Sequence, residues 1–267
     1  MKIGIFDSGI GGLTVLHRAL SYLPNEDFLF YADEAHVPYG TKTKEEILEY
    51  TTGAVEFLTK AGCRAVVLAC NTATSVAVTK LREEFDIPII GIEPAVKPAI
   101  AHANELSAEG GRGGRVLVIA TPMTAKEKKL HDLVERVDSH HLVDILATPK
   151  LVEFAQKGEF NSPAVENYLK EVFQDTVLSD YSALVLGCTH FNLFKDTLSG
   201  LFGTQCQLLD GSEGCARNLA AIVEKEGFAK GECGNVTYFS SGEEVKDETR
   251  LAFYRQILER LSEMEKY

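Results

Sequence analysis

Several features are missing from this chain, and each absence removes a class of function. No apolar run approaches the ~18 residues of a membrane-spanning helix, so no membrane partner is expected. The opening "MKIGIFDSG" has no charged, apolar and then small-residue leader and runs straight into a strand and a turn. Cytoplasmic residence is the expectation. Basic residues are scarce: 27 Lys and Arg against 39 Asp and Glu leave a formal charge of −12. Neutralising a phosphate backbone takes clustered Lys and Arg, so a nucleic-acid partner is not expected. An anionic substrate would have to be drawn in by local groups.

The six cysteines include no CxxC pair, which argues against a closed zinc site of the usual spacing. A chain of 267 residues needs no covalent staples either. Nucleotide fingerprints fail as well. In "GIGG" at 9–12 the third glycine of GxGxxG would fall at Thr14, and no GxxxxGK[ST] occurs. These glycines read as a tight strand-to-helix turn.

What the chain does have is alternation. Short apolar runs ("KIGIF", "FLFY", "AVVLA", "PIIGI", "RVLVIA", "LVDIL", "ALVLG", "CQLLD", "VTYF") are separated by amphipathic segments, which predict helices over 44–60, 124–137, 163–178 and 245–264. Strands apolar at every position imply an α/β protein whose mostly parallel sheets are flanked by helices on both faces. Nine strands favour two domains. The Gly-rich "AEGGRGGR" at 108–115 reads as a solvated loop or connection.

Two strand ends are nearly alike: "AVVLACNT" at 65–72 and "ALVLGCTH" at 183–190. Each closes on a cysteine followed by hydroxyl, amide or imidazole groups, which suggests an internal repeat. Ligands of parallel sheets bind beyond the carboxyl ends of strands, where Asp7 and Ser8 also lie. Asn71, Thr72, Thr74 or Ser75 is expected to cap the helix after Cys70, with "CTHFN" leading into a helix in the same way. A helix N-terminus lowers a thiol's pKa, so Cys70 and Cys188 are expected to be activated. Cys63, Cys206, Cys215 and Cys233 read as structural. The loop "HVPYG" offers Tyr39 and the Gly40 amide to a ligand.

Two thiols suit one reaction well. Inverting a carbon centre takes a base on one face and an acid on the other, and cysteine can populate either form. The developing carbanion needs directed N–H and hydroxyl donors, worth roughly 3–4 kcal/mol each in oxyanion holes. Asp7 and His190 are then the helpers, one near each thiol.

"IGIFDSGIGGLTVL", "VPYG", "ACNTATS", "VIATPMT" and "GCTH" together resemble the glutamate racemases of the cofactor-independent aspartate/glutamate racemase superfamily, from Met1 to about Asp210. The resemblance implies two similar α/β domains facing each other across a buried site, related by a pseudo-two-fold axis. Residues 1–95 with 210–267 would form the first, and 96–209 the second. It implies no cofactor and no metal, with Cys70 acting on D-glutamate and Cys188 on L-glutamate. Asp7 and His190 match the assisting acid/base residues. Ser8, Tyr39, Gly40, Asn71, Thr72, Thr121, Thr124 and Thr189 match substrate contacts, along with Asp7 and His190. A homodimer supplying D-glutamate for peptidoglycan is implied too. The chain departs from the family pattern at Ala120, Phe191 and Asn192, and at Thr148, where a cysteine is usual; Glu153 is therefore not assigned to the family's nearby acidic residue. The alternatives are an aspartate or other amino-acid racemase, a zinc site on Cys70, Cys188, His190 and Asp7, a Cys-His hydrolase, and a non-catalytic binding module.

Overall fold

The computed structural model describes residues 2–108, 114–227 and 234–267. The first half of the chain supplies strands β1 (Lys2–Asp7), β2 (Asp27–Ala32), β3 (Cys63–Leu68) and β4 (Ile89–Gly91). The second supplies β5 (Arg115–Ala120), β6 (Val143–Ala147), β7 (Tyr181–Leu186) and β8 (Gln207–Asp210). A late pair, β9 (Val236–Ser240) and β10 (Glu243–Glu244), returns to the first sheet. The sheet orders are β10-β9-β2-β1-β3-β4 and β6-β5-β7-β8. Every neighbouring pair is parallel except β9 with β10.

Both sheets therefore repeat one order, second-first-third-fourth. In such a sheet the chain runs outward in opposite directions from the central pair, and a crevice opens at the carboxyl ends there. That crevice receives Asp7 and Cys70 in one lobe, and Thr121 and Cys188 in the other.

The helices are α1 (Leu13–Tyr22), α2 (Lys44–Lys60), α3 (Asn71–Glu84), α4 (Val96–Ala108), α5 (Pro122–Lys126), α6 (Lys128–Val137), α7 (Lys150–Gln156), α8 (Pro163–Val172), α9 (Lys195–Phe202), α10 (Ser212–Lys225) and α11 (Glu248–Met264). The helix expected over 44–60 has the predicted bounds, fixed by a capping box between Thr43 and Glu46. Three others differ. The 124–137 helix breaks at Glu127, whose backbone is extended (ψ 132°) and whose buried carboxylate pairs with Lys44 at 2.9 Å. The 163–178 helix stops at Val172. The last helix starts at Glu248, capped by the Asp247 side chain on the Thr249 amide. The Gly-rich expectation falls largely on residues 109–113, outside the described residues, and Cys233 also lies outside them.

Strand alternation sorts the core into layers. Ile3 and Ile5 of β1, Ala65 and Val67 of β3, Leu117 and Ile119 of β5, and Leu184 and Leu186 of β7 all enter one hydrophobic cluster common to both sheets. The intervening residues point outward into two separate cores. Phe6, Val66 and Leu68 pack with residues of α2 and α3; Val116, Val118, Ala183 and Val185 pack with residues of α4. Helix α11 adds Tyr254, Ile257 and Leu261 to the common cluster. Its Arg260 donates to the Leu193 carbonyl at 2.8 Å, tying the end of the chain to the loop that follows β7. Among the described residues no helix is long and apolar enough to cross a membrane.

Candidate active site

Cys70 is itself the N-cap of α3, so the expected caps from Asn71 to Ser75 are one residue or more too late. Its Sγ accepts the Ala73 amide at 3.5 Å and lies 3.6 Å from Ser8 Oγ. Ser8 Oγ in turn reaches Asp7 Oδ1 at 3.5 Å. Asp7, fully buried, accepts the Gly9 amide at 2.9 Å on Oδ1 and the Thr189 hydroxyl at 3.0 Å on Oδ2. The last bond crosses from one lobe to the other. Thr14 Oγ1 adds a second crossing by donating to the Thr189 carbonyl at 3.0 Å.

On the opposite lobe Cys188 opens the 3-10 turn Thr189–Phe194, and its Sγ lies 3.8 Å from His190 Nδ1. His190 Nε2 faces the first lobe, 3.3 Å from the Gly11 amide and 3.0 Å from Gln156 Nε2. The glycines of "GIGG" thus have a use beyond the turn. A Cβ on Gly9 would come within 1.8 Å of Gln156 Nε2, and one on Gly11 within 2.3 Å of His190 Nδ1. Neither position needs a positive φ; what each supplies is room for the other lobe.

The hydroxyls converge as well. Thr72 Oγ1 lies 3.0 Å from Thr121 Oγ1 and 3.1 Å from Thr124 Oγ1, and the latter two are 3.0 Å apart. This triangle again joins the lobes. Gly40 packs so closely on Thr121 that a Cβ would sit 2.7 Å from the Thr121 Cβ. Tyr39 directs its hydroxyl away to Asp33 at 2.7 Å, so it anchors the loop through that bond. Asn71 is buried and its Oδ1 has no hydrogen-bond partner, an acceptor suited to a donor on a bound molecule. Between Asn71 and Ser75 on one side and Thr124 and Lys128 on the other lies a cavity of 480 Å³.

All twelve residues expected from the sequence therefore lie at the ends of strands, in the turns that follow them or in the first turn of the next helix. Glu153, by contrast, is exposed on α7, whereas Gln156 of the same helix reaches His190. Sequence reading missed Gln156, and also Gly11 and Thr14. Thr148 is buried, with Oγ1 unpartnered.

Burial dominates the electrostatics. Removal from water, reinforced by the Asp7 charge, pushes the Cys70 thiol up to about 11 against the opposing Ala73 and Ser8 hydrogen bonds. Cys188 is raised too, by burial first and then by the charge of Cys70. The expectation that a helix N-terminus would lower these thiols is thus overturned: the N–H donors are too few to offset desolvation. Burial also raises Asp7 to about 7 and lowers His190 to about 3. Cys63, Cys206 and Cys215 are buried and raised to about 12 by desolvation, as inert core thiols are. Among the described residues no three His, Cys, Asp or Glu side chains form a group that could hold a metal ion, so the zinc alternative has no such group to rest on.

Residues 14–218 match the family model described as Asp/Glu/Hydantoin racemase. The chain is 50% identical to the glutamate racemase of Lachnospira eligens over 99% of both chains. In three dimensions it is similar to the glutamate racemase of Campylobacter jejuni subsp. jejuni (TM-score 0.76, 26% identity, 97% of this chain and 98% of that one). It is also similar to Escherichia coli glutamate racemase in complex with L-glutamate and the activator UDP-MurNAc-ala (TM-score 0.75, 30% identity, 84% and 82%). With a cysteine just beyond the end of each of two corresponding strands and a match that covers most of its length, the chain belongs to the Asp/Glu/Hydantoin racemase family.

Proposed function

We propose that the protein interconverts L- and D-glutamate by proton transfer at the α-carbon, with Cys70 and Cys188 as the two bases. One observation carries this reading: the thiols end corresponding strands, β3 and β7, of two sheets with the same strand order, and a shared hydrogen-bond network joins their loops. The similarity to glutamate racemases supports glutamate as the substrate over aspartate.

In each turnover one thiolate takes the α-hydrogen as a proton from one face, and its electron pair stays on carbon. The other thiol gives its proton to the opposite face. Configuration inverts, and the two sulfurs exchange ionisation states, so the next substrate is the other enantiomer. Cys188 acts on L-glutamate and Cys70 on D-glutamate. Asp7 reaches Cys70 through Ser8, a path by which a proton can leave or return, and His190 serves Cys188. The Thr72, Thr121 and Thr124 hydroxyls and the amides of the Tyr39–Gly40 turn supply donors to the carboxylates and the developing charge, while the Thr189 hydroxyl, whose one proton goes to Asp7, holds that carboxyl in place. Asn71 Oδ1 accepts from the ammonium group.

The lobes correspond to domains 1–95 with 210–267 and 96–209, a division supported by strand membership. The reading carries with it a cytoplasmic homodimer that supplies D-glutamate for peptidoglycan. Each enantiomer, incubated with the protein in heavy water, should yield product bearing deuterium on the α-carbon. Product without α-deuterium, or no product from either enantiomer, rejects the reading.

A further inference from the structure

We propose that Gln156, together with the Gly11 amide, is a positioning residue that fixes His190 as the tautomer protonated on Nδ1. The ring then meets Cys188 as a hydrogen-bond donor. This rests on the two-thiol reading above and specifies what His190 does within it.

The geometry allows one assignment. A backbone N–H can only donate, and that of Gly11 points at His190 Nε2 from 3.3 Å. Nε2 must therefore carry its lone pair. The Gln156 amide, 3.0 Å from the same nitrogen, completes the site by presenting its NH2 group. In a neutral imidazole the remaining hydrogen then sits on Nδ1, 3.8 Å from Cys188 Sγ. Burial lowers His190 to about 3, so the neutral ring is the form present at physiological pH. An Nδ1 that already holds a hydrogen cannot take one from the thiol. What it can do is stabilise the Cys188 thiolate, the form that attacks L-glutamate.

Gln156 reaches this position because α7 packs Leu151, Val152 and Ala155 into the core and ends at Gln156, beside the space left by Gly9. A carboxylate at 156 would reverse the arrangement: it can only accept, so it would draw the hydrogen to Nε2 and leave Nδ1 free to accept from the thiol. The amide thus selects between two chemical roles for one ring, and Gly11 alone supplies a single donor to oppose a change.

The test is nitrogen NMR of the ligand-free protein labelled with ¹⁵N-histidine, with His190 identified by comparison with the His190→Asn spectrum. The expected signature is a protonated Nδ1 and an unprotonated Nε2 in the native protein. In Gln156→Glu the signature should reverse. Gln156→Leu, similar in size but without donors, should lower kcat/KM by about tenfold, the factor that one lost hydrogen bond of ordinary strength is worth. It should do so equally in both directions, as an equilibrium constant of one requires. A native His190 protonated on Nε2 overturns the proposal. So does Gln156→Leu with unchanged kcat/KM, which would make the side chain mere filling. The spectrum needs no turnover, so a failure to racemise glutamate would remove the functional reading while leaving the tautomer open to measurement.

Discussion

The Gly11 amide lies 3.3 Å from His190 Nε2, although 179 residues separate them in the chain. The bond holds the turn after β1 against the turn after β7, and it exists only because position 11 has no side chain. An alanine Cβ there would lie 2.3 Å from His190 Nδ1 and 2.5 Å from Thr189 Oγ1. Both neighbours are buried and cannot swing into solvent. Gly11→Ala should therefore displace the ring and the Thr189–Asp7 bond together. A displacement near 1 Å costs about 100-fold in rate, and steady-state racemisation by a folded variant should show that loss. Activity within twofold of the native protein would mean that the two turns do not need their close approach.

The thiols should prove individually indispensable and chemically distinct. Cys70→Ala and Cys188→Ala should each lose racemisation by at least about 100-fold, the lower bound for a positioned acid or base. Exchange at the α-carbon should survive selectively, with D-glutamate for the variant that keeps Cys70 and with L-glutamate for the one that keeps Cys188. Proton NMR in heavy water measures each. Identical exchange by both variants toward both enantiomers would contradict the division of labour.

Asp7 and His190 make opposing contributions to stability across the acid range. Asp7 is held near 7 in the fold against an ordinary 3.8, so between those values the folded protein keeps a proton that the unfolded chain releases. Its contribution is complete below 3.8 and is lost as pH rises through about 7. His190 stands near 3 in the fold against an ordinary 6.5. Its contribution is present above 6.5 and is lost as pH falls toward 3. The two nearly cancel between pH 4 and 6.5, and single variants should separate them. Asp7→Asn should gain stability as pH rises across that window, and His190→Asn should lose it, each by up to about 1.4 kcal/mol per pH unit. Urea unfolding at several pH values measures both slopes, and parallel slopes in the two variants would refute the assignment.

The strands were legible because a doubly covered parallel sheet writes itself as unbroken apolar runs, and the thiols because strand end and polar followers occur together twice. Other features depend on partners that local sequence does not show. Glu127 interrupts a good helical pattern because Lys44, 83 residues away, draws its carboxylate inward. Gln156 went unread because its role depends on how one lobe sits against the other. Glu153, the ionisable residue three positions earlier, attracts attention but faces solvent. Gly9 and Gly11 read as turn formers, and only the opposing lobe reveals them as clearances. The thiol ionisation was misread for a related reason: a helix N-terminus is visible in sequence, whereas the depth of burial that outweighs it is not.

The hydrocarbon cluster drawn from β1, β3, β5 and β7 belongs to neither sheet alone. Cutting the chain between them would leave each piece with an oily face open to water. Neither piece is therefore an autonomous folding unit, and heat or denaturant should melt the protein in one cooperative step. Adjustments that admit and release a substrate must then be small slides over a common interior, because wide separation would expose the same surface that unfolding does.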